Sequence, residues 1–86
     1  MDQSKIGAFI AARRKERGLL QKDIAARLGV SEKTVSKWES GNGLPEVVFM
    51  EPLCAILGIT VNELLAGRPF LSLHFCILWI FPVLNW

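Results

Sequence analysis

The chain has 86 residues, which is the size of one small domain with at most one short appendage. This length excludes a TIM barrel and a complete doubly wound nucleotide-binding fold. Hydrophobic residues make up 51% of the chain and only four residues are proline, so the composition also excludes wholesale disorder.

Charge and aromatic residues divide the chain into two parts. The net charge is +2, but residues 1–43 hold nine basic and five acidic residues and carry +4. Residues 44–86 hold one basic and three acidic residues and carry −2, and five of the eight aromatic residues lie in the last 17 positions. Two cysteines are too few for a disulfide framework, and no secretory signal is evident. We therefore expect a basic cytoplasmic module followed by a segment of different character.

The first predicted helix covers residues 5–17, with Ser4 as its N-cap and Gly18 at its end. A spacing of i, i+3, i+4 and i+7 predicts the stripe that faces the core. That stripe consists of Ile6, Phe9, Ile10 and Arg13.

A second helix is predicted over residues 21–28, and a third helix is predicted from Ser31, its N-cap, to Glu39. The inner face of the second helix consists of Ile24, Ala25 and Leu28. In the third helix, Val35 and Trp38 are three residues apart and are predicted to point inward. The opposite face is polar and consists of Glu32, Lys33, Ser36 and Lys37.

The fourth predicted helix, residues 46–57, contains Pro52, which indicates either a kink or a separate first turn. Thr60 and Glu63 have the spacing of a capping box for a short fifth helix over residues 61–66. The glycines that end these two helices are Gly58 and Gly67.

Residues 1–67 are thus predicted to be all-α, and within them residues 21–39 have the pattern of a helix-turn-helix. Gly29 suits a turn conformation that a side chain would oppose. Ala25 is small enough for the following helix to cross close to it. The polar face of that following helix is then free to enter a major groove, which is wide enough to admit one helix.

This stretch, QKDIAARLGVSEKTVSKWE, resembles the lambda-repressor/Cro-type (XRE-like) helix-turn-helix family, and the resemblance extends over about residues 4–67. The patterns W-E-x-G, L-P and L-G-I-x-x-x-E-L-L follow at the spacing of that family. The resemblance implies a compact five-helix, lambda-repressor-like DNA-binding domain over residues 1–67. It also implies a sequence-specific transcriptional regulator, a repressor that occupies an operator in double-stranded DNA as a homodimer.

The same resemblance implies roles for individual residues. Those expected to contact base edges are Glu32, Lys33, Ser36 and Lys37. Those expected to contact phosphates are Gln21, Ser31, Thr34 and Arg14. Those expected to hold the motif together are Ala25, Gly29, Val35, Trp38 and Glu39, the last of them paired with Arg14. One position departs from the family, which often has a Thr, Ser or Asn cap where Leu20 stands, and the departure forgoes about 1 kcal/mol of capping.

The second predicted region, residues 68–86, is an apolar tail in which residues 70–86 carry no charge. Three interpretations are open. The tail packs on the domain or forms a dimer contact, it associates with a membrane, or it results from a truncated or frameshifted gene. Its 17 uncharged residues would span about 25 Å as a helix, which is short for a hydrocarbon core of about 30 Å.

Two other functions remain alternatives to DNA recognition alone. The chain could be an antitoxin-type or other protein-interaction module, or a membrane-tethered regulator that uses residues 70–86. An enzyme is not expected, because the single histidine, His74, lies in the tail and no catalytic constellation can be assembled around it. The positions of His74, Cys76 and Cys54 are too sparse for a metal site, so neither a metal nor a cofactor is expected.

Overall fold

The computed structural model describes residues 2–70, which form five α-helices connected by short loops. The helices are α1 Gln3–Glu16, α2 Gln21–Leu28, α3 Glu32–Glu39, α4 Val47–Leu57 and α5 Val61–Ala66. The predicted all-α fold with five helices is confirmed over this part of the chain. The interpretations of the apolar tail as a packing, dimer-forming, membrane-associated or frameshifted segment concern residues that, apart from 68–70, lie outside the described ones.

The start of α1 differs from the prediction, because Asp2 is its N-cap and Ser4 lies inside the helix. The Asp2 carboxylate accepts hydrogen bonds from the backbone N–H groups of Ser4 at 3.0 Å and Lys5 at 3.3 Å. The Asp2 carboxylate thus satisfies two N–H groups of the first turn that have no acceptor within the helix. At the other end, Gly18 follows the helix with a φ of +69°.

The buried stripe of α1 ends on Arg14, and the prediction that it ends on Arg13 was wrong. Arg14 is 8% exposed, whereas Arg13 is only partly buried. Arg13 extends to the end of α4, where its Nη2 donates to the carbonyl oxygen of Leu57 at 3.2 Å. The spacing of apolar residues cannot tell which of two adjacent arginines is buried. That depends on the Glu39 carboxylate, which only the tertiary fold brings to Arg14.

The hydrophobic core lies where the five helices meet. Helix α3 packs against α1 and α2, while α4 and α5 close the opposite side. The core residues are Ile6, Ile10, Ile24, Ala25, Val35, Trp38, Leu53, Cys54, Leu57 and Leu64. Burial raises the pKa of the Cys54 thiol, so this side chain stays neutral and packs as a small apolar group.

Helix α4 runs without interruption through Pro52, so the alternative of a separate first turn was wrong. Pro52 has no N–H group, which leaves the carbonyl of Val48 without its helical hydrogen bond. Val48 is 68% exposed and Pro52 is exposed as well, so water can reach that carbonyl. The helix ends as predicted at Gly58, which has a φ of +71°.

The predicted capping box at the start of α5 is confirmed. The Glu63 N–H group donates to Thr60 Oγ1 at 3.1 Å, and the Thr60 N–H group donates to Glu63 Oε1 at 2.9 Å. The other carboxylate oxygen, Glu63 Oε2, accepts from the N–H group of Phe70 at 3.0 Å. The hydrogen bond from the Thr60 backbone is the main reason why the pKa of Glu63 lies below its usual value.

Candidate nucleic-acid interface

Helix α3 begins where the sequence predicts, with Ser31 as its N-cap. Ser31 Oγ accepts from the backbone N–H group of Thr34 at 3.1 Å and lies 2.9 Å from the Thr34 hydroxyl. Glu32 in the first turn and Lys37 in the last turn carry the charges that a helix dipole favours at those ends. The two hydroxyl groups are therefore positioned at the N-terminal end of α3, beside backbone N–H groups that have no helical acceptor.

The inner face of α3 holds the helix against the core. Val35 is fully buried and Trp38 is 5% exposed, so both point inward as their spacing predicts. The Trp38 ring also lies 6.1 Å from the ring of Phe49 on α4, measured between centroids. The outer face is exposed and consists of Glu32, Lys33, Ser36 and Lys37.

The end of α3 lies unusually close to α1 at Gly7. A Cβ atom at Gly7 would lie 2.7 Å from the carbonyl oxygen of Glu39, and closer still to that of Trp38. Real Cβ atoms are not found that close to backbone atoms, and neither backbone can move independently of its helix. Gly7 therefore sets the distance between α1 and α3, a role that the sequence analysis missed because a lone glycine inside a helix gives no indication of what crosses it.

The ion pair between Arg14 and Glu39 that the family resemblance implies is present. Arg14 Nε donates to Glu39 Oε2 at 2.6 Å, and Arg14 Nη2 donates to Glu39 Oε1 at 3.0 Å. A third bond runs from Arg14 Nη1 to the carbonyl oxygen of Leu19 at 2.9 Å. The hydrogen bond with Glu39 raises the pKa of Arg14 above its usual value. A phosphate contact by Arg14 stays a prediction, and the burial of its guanidinium favours a structural role.

The start of α2 has an incomplete cap, as the apolar Leu20 implies. Leu20 offers no side-chain acceptor, but its own N–H group donates to Asp23 Oδ2 at 2.7 Å. The next residue, Gln21, donates through its side-chain Nε2 to Glu39 Oε1 at 3.1 Å. This bond is not predictable from the sequence, because no spacing rule relates two residues 18 positions apart.

The turn between α2 and α3 has the geometry that its residues predict. Gly29 has a φ of +74°, in the left-handed region that favours glycine. Ala25 is 5% exposed and belongs to the core that α2 shares with α3. The left-handed φ of Gly29 and the burial of Ala25 agree with the structural roles expected for them.

A cleft of about 220 Å³ lies between α3 and the start of α4. It is lined by Thr34, Lys37, Trp38, Asn42, Gly43, Leu44, Glu46 and Phe49. The cleft leaves the side of α3 that carries Lys37 accessible. It also adds Asn42 to the polar groups around α3, and no helical pattern in the sequence indicates this.

No group of three or more His, Cys, Asp or Glu side chains that could hold a metal ion occurs within residues 2–70. None of the five helices in that range is both long enough and apolar enough to cross a membrane.

The chain is similar to proteins that include a named transcriptional activator and a named repressor. The chain is 35% identical over 57 residues to the HTH-type transcriptional activator BcrR of Enterococcus faecalis, covering 66% of this chain and 28% of that protein. It is 33% identical over 64 residues to the ImmF control region 10 kDa protein of Bacillus phage phi105, covering 74% and 71% of the two chains. Over 44 residues it is 45% identical to the 26 kDa repressor protein of Escherichia phage HK022, covering 51% of this chain and 19% of that protein. The chain therefore spans less than a third of BcrR and of the HK022 repressor.

A solved structure has the same fold. The restriction-modification controller protein C.AhdI from Aeromonas hydrophila matches with a TM-score of 0.67 and 28% identity, over 73% of this chain and 96% of that one. The family model described as helix-turn-helix matches residues 10–64, which is more than half of the chain. The chain therefore belongs to the helix-turn-helix family, of the lambda-repressor/Cro type that its sequence resembles.

Proposed function

We propose that this DNA-binding transcriptional regulator recognises a specific duplex sequence by inserting α3 into the major groove. The observation that carries the proposal is the division of α3 into two faces. Val35 and Trp38 hold the helix on the core, and four polar side chains on the other face are exposed. A B-form major groove is wide enough for one helix presented in this way.

The exposed face of α3 offers groups that match base edges. Lys33 and Lys37 can donate to guanine O6 and N7, and Glu32 can accept from cytosine N4. Ser36 lies on the same face, and a serine hydroxyl can donate or accept. We assign sequence discrimination to these four residues, because contacts with phosphates carry no direct sequence information.

Contacts with the phosphate backbone are assigned to the helix starts beside this face. Ser31 and Thr34 place two hydroxyl groups at the start of α3, where free N–H groups and the helix dipole favour an anion. Gln21 is the first residue of α2. We assign Arg14 a positioning role through Glu39, because its guanidinium is engaged within the protein.

The complete regulatory unit is proposed to be a homodimer on a two-fold symmetric operator, with residues 1–67 as the DNA-binding domain. Two copies of α3 would then occupy major grooves about one helical turn apart. Repression follows if the bound dimer excludes other proteins from the operator. The relatives include one protein named as an activator and one named as a repressor, so the sign of regulation needs its own measurement. A cytoplasmic location is part of this proposal.

The test is selection of duplexes by the full chain from a randomised pool, followed by binding measurements on the enriched sequence. Replacing Lys33→Ala together with Lys37→Ala should reduce affinity for that sequence about 10- to 100-fold and abolish its advantage over random duplex. The matched control is Lys5→Ala with Lys15→Ala, which removes the same charge from exposed positions of α1. The control should lower affinity for all duplexes alike and keep the preference. Absence of any enriched sequence, or equal loss of preference in both double variants, would contradict the proposal.

A further inference from the structure

One carboxylate, that of Glu39, connects the three helices around the proposed interface. Glu39 Oε1 accepts two hydrogen bonds, from Arg14 Nη2 on α1 at 3.0 Å and from Gln21 Nε2 on α2 at 3.1 Å. Its other oxygen accepts from Arg14 Nε at 2.6 Å. The Glu39 side chain is only 7% exposed and that of Arg14 is 10% exposed. Water therefore competes little for these bonds, and the arrangement is defined by the protein itself.

The chemistry of a carboxylate determines how Gln21 is oriented. An ionised carboxylate only accepts hydrogen bonds, so the Gln21 amide must present an N–H group to it and not its own carbonyl oxygen. The terminal torsion of a free glutamine is broad and roughly two-fold, so without Glu39 both orientations of the amide are accessible. The bond to Glu39 uses one N–H group of Nε2 and leaves the second one available. Because phosphate oxygens accept hydrogen bonds, the orientation that keeps a donor available is the useful one.

We propose that Glu39 is a positioning residue for the contact between Gln21 and a DNA phosphate. Gln21 is the first residue of α2, and Glu39 is the last residue of α3. The carboxylate thus fixes a phosphate-binding group relative to the helix that enters the groove. This role rests on the proposed function. It adds Glu39 as a partner to the contact between Gln21 and the DNA phosphate, while Arg14 holds the same carboxylate through two hydrogen bonds.

The proposal is tested by a double-mutant cycle in DNA affinity, using the full chain and the enriched duplex. Replacing Gln21→Met should weaken binding about tenfold for every sequence, as loss of one bond to a charged acceptor does. The dependence on salt should stay the same, because glutamine releases no counterions. Replacing Glu39→Gln should cause a similar loss in the native chain but less than a twofold further loss when Gln21→Met is already present. The matched control, Gln3→Met, changes the same residue type at the first position of α1 and should not alter affinity.

The outcomes distinguish a failure of the proposed function from a failure of the positioning role of Glu39. If the native chain binds no duplex above the level of random DNA, the proposed function is wrong. If it binds well but Glu39→Gln causes the same loss with and without Gln21→Met, Glu39 only holds α3 in place and the positioning role is wrong.

A second measurement does not depend on the stability of the Glu39→Gln variant. The two protons of a glutamine side-chain amide give separate nuclear magnetic resonance signals, because rotation about the amide C–N bond is slow. Those of Gln21 can therefore be followed individually in the native chain. Adding the enriched duplex should shift one signal strongly and leave the proton bonded to Glu39 nearly unchanged. Equal shifts of both signals, or no shift of either, would overturn the proposal.

Discussion

The inner and outer faces of α3 differ in their surroundings. The inner face packs against the core, whereas the outer face is exposed to solvent. On the inner side, Val35 and Trp38 are buried, and the helix backbone lies against Gly7 of α1. On the outer side, Lys33 and Lys37 are exposed. Changes on the inner face should therefore cost folding stability, whereas changes on the outer face should cost affinity for DNA and leave stability almost unchanged. One short helix thus carries its core contacts and its proposed recognition residues on separate faces.

The largest effect is expected at the contact between α1 and α3. Replacing Gly7→Ala places a methyl group against the carbonyl oxygens of Trp38 and Glu39, and the two helices can only respond by separating. The free energy of unfolding should fall by more than about 4 kcal/mol, at the exceptional end for one substitution. Urea denaturation followed by circular dichroism measures it. The matched control is Gly43→Ala, since a Cβ there meets nothing within 4 Å; a similar loss in the control would contradict the argument.

The next largest effect is expected at the buried ion pair. Replacing Arg14→Met leaves the Glu39 carboxylate buried without its cation and should cost about 3 kcal/mol of unfolding free energy. Adding Glu39→Met should recover part of that loss, because no unpaired charge remains. The surface pair of Arg13 and Glu16 provides the control, since Glu16 is 59% exposed and Glu16→Ala should cost less than about 1 kcal/mol. A loss at Glu16 equal to that at Arg14 would show that burial is not what matters.

A smaller effect on stability should distinguish Ser31, the N-cap of α3, from Ser36 within the helix. Ser31→Ala removes the N-cap of α3 and should lower the unfolding free energy by about 1 kcal/mol. Ser36→Ala, on the exposed face of the same helix, should change it by less than about 0.5 kcal/mol. Chemical denaturation of the two variants checks the difference. Equal effects would mean that the cap does not stabilise this helix.

The smallest effect concerns acid stability, and it arises at the capping box of α5. The pKa of Glu63 is lowered in the folded chain, mainly by the hydrogen bond from the Thr60 backbone. The contribution of Glu63 to the free energy of unfolding should be complete above the ordinary glutamate pKa of about 4.3. It should be lost as the pH falls through the lower pKa that Glu63 has in the folded chain. Replacing Glu63→Gln should therefore lower the melting temperature at pH 7 but not at about pH 2. The exposed Glu51 serves as control, and a pH-independent difference for Glu63→Gln would contradict the prediction.

Several features of the fold were predictable because they depend on residues close together in the chain. The caps at Ser31 and Thr60 and the left-handed turn at Gly29 are local hydrogen-bonding and steric effects. The inward direction of Val35 and Trp38 follows from helical periodicity alone. Ser4 was assigned as a cap in error, because two suitable cap residues lie two positions apart and local pattern does not choose between them.

By itself, the sequence determined five helices, their order, and which face of α3 is polar and exposed. Only the tertiary structure decided which arginine of α1 is buried, how closely α1 approaches α3 at Gly7, and which side chains share the carboxylate of Glu39. The physical reason is the range of the interactions. Caps and periodicity act within one or two helical turns, whereas Arg14 and Gln21 meet Glu39 across 25 and 18 residues, where the packing of three helices sets the distances.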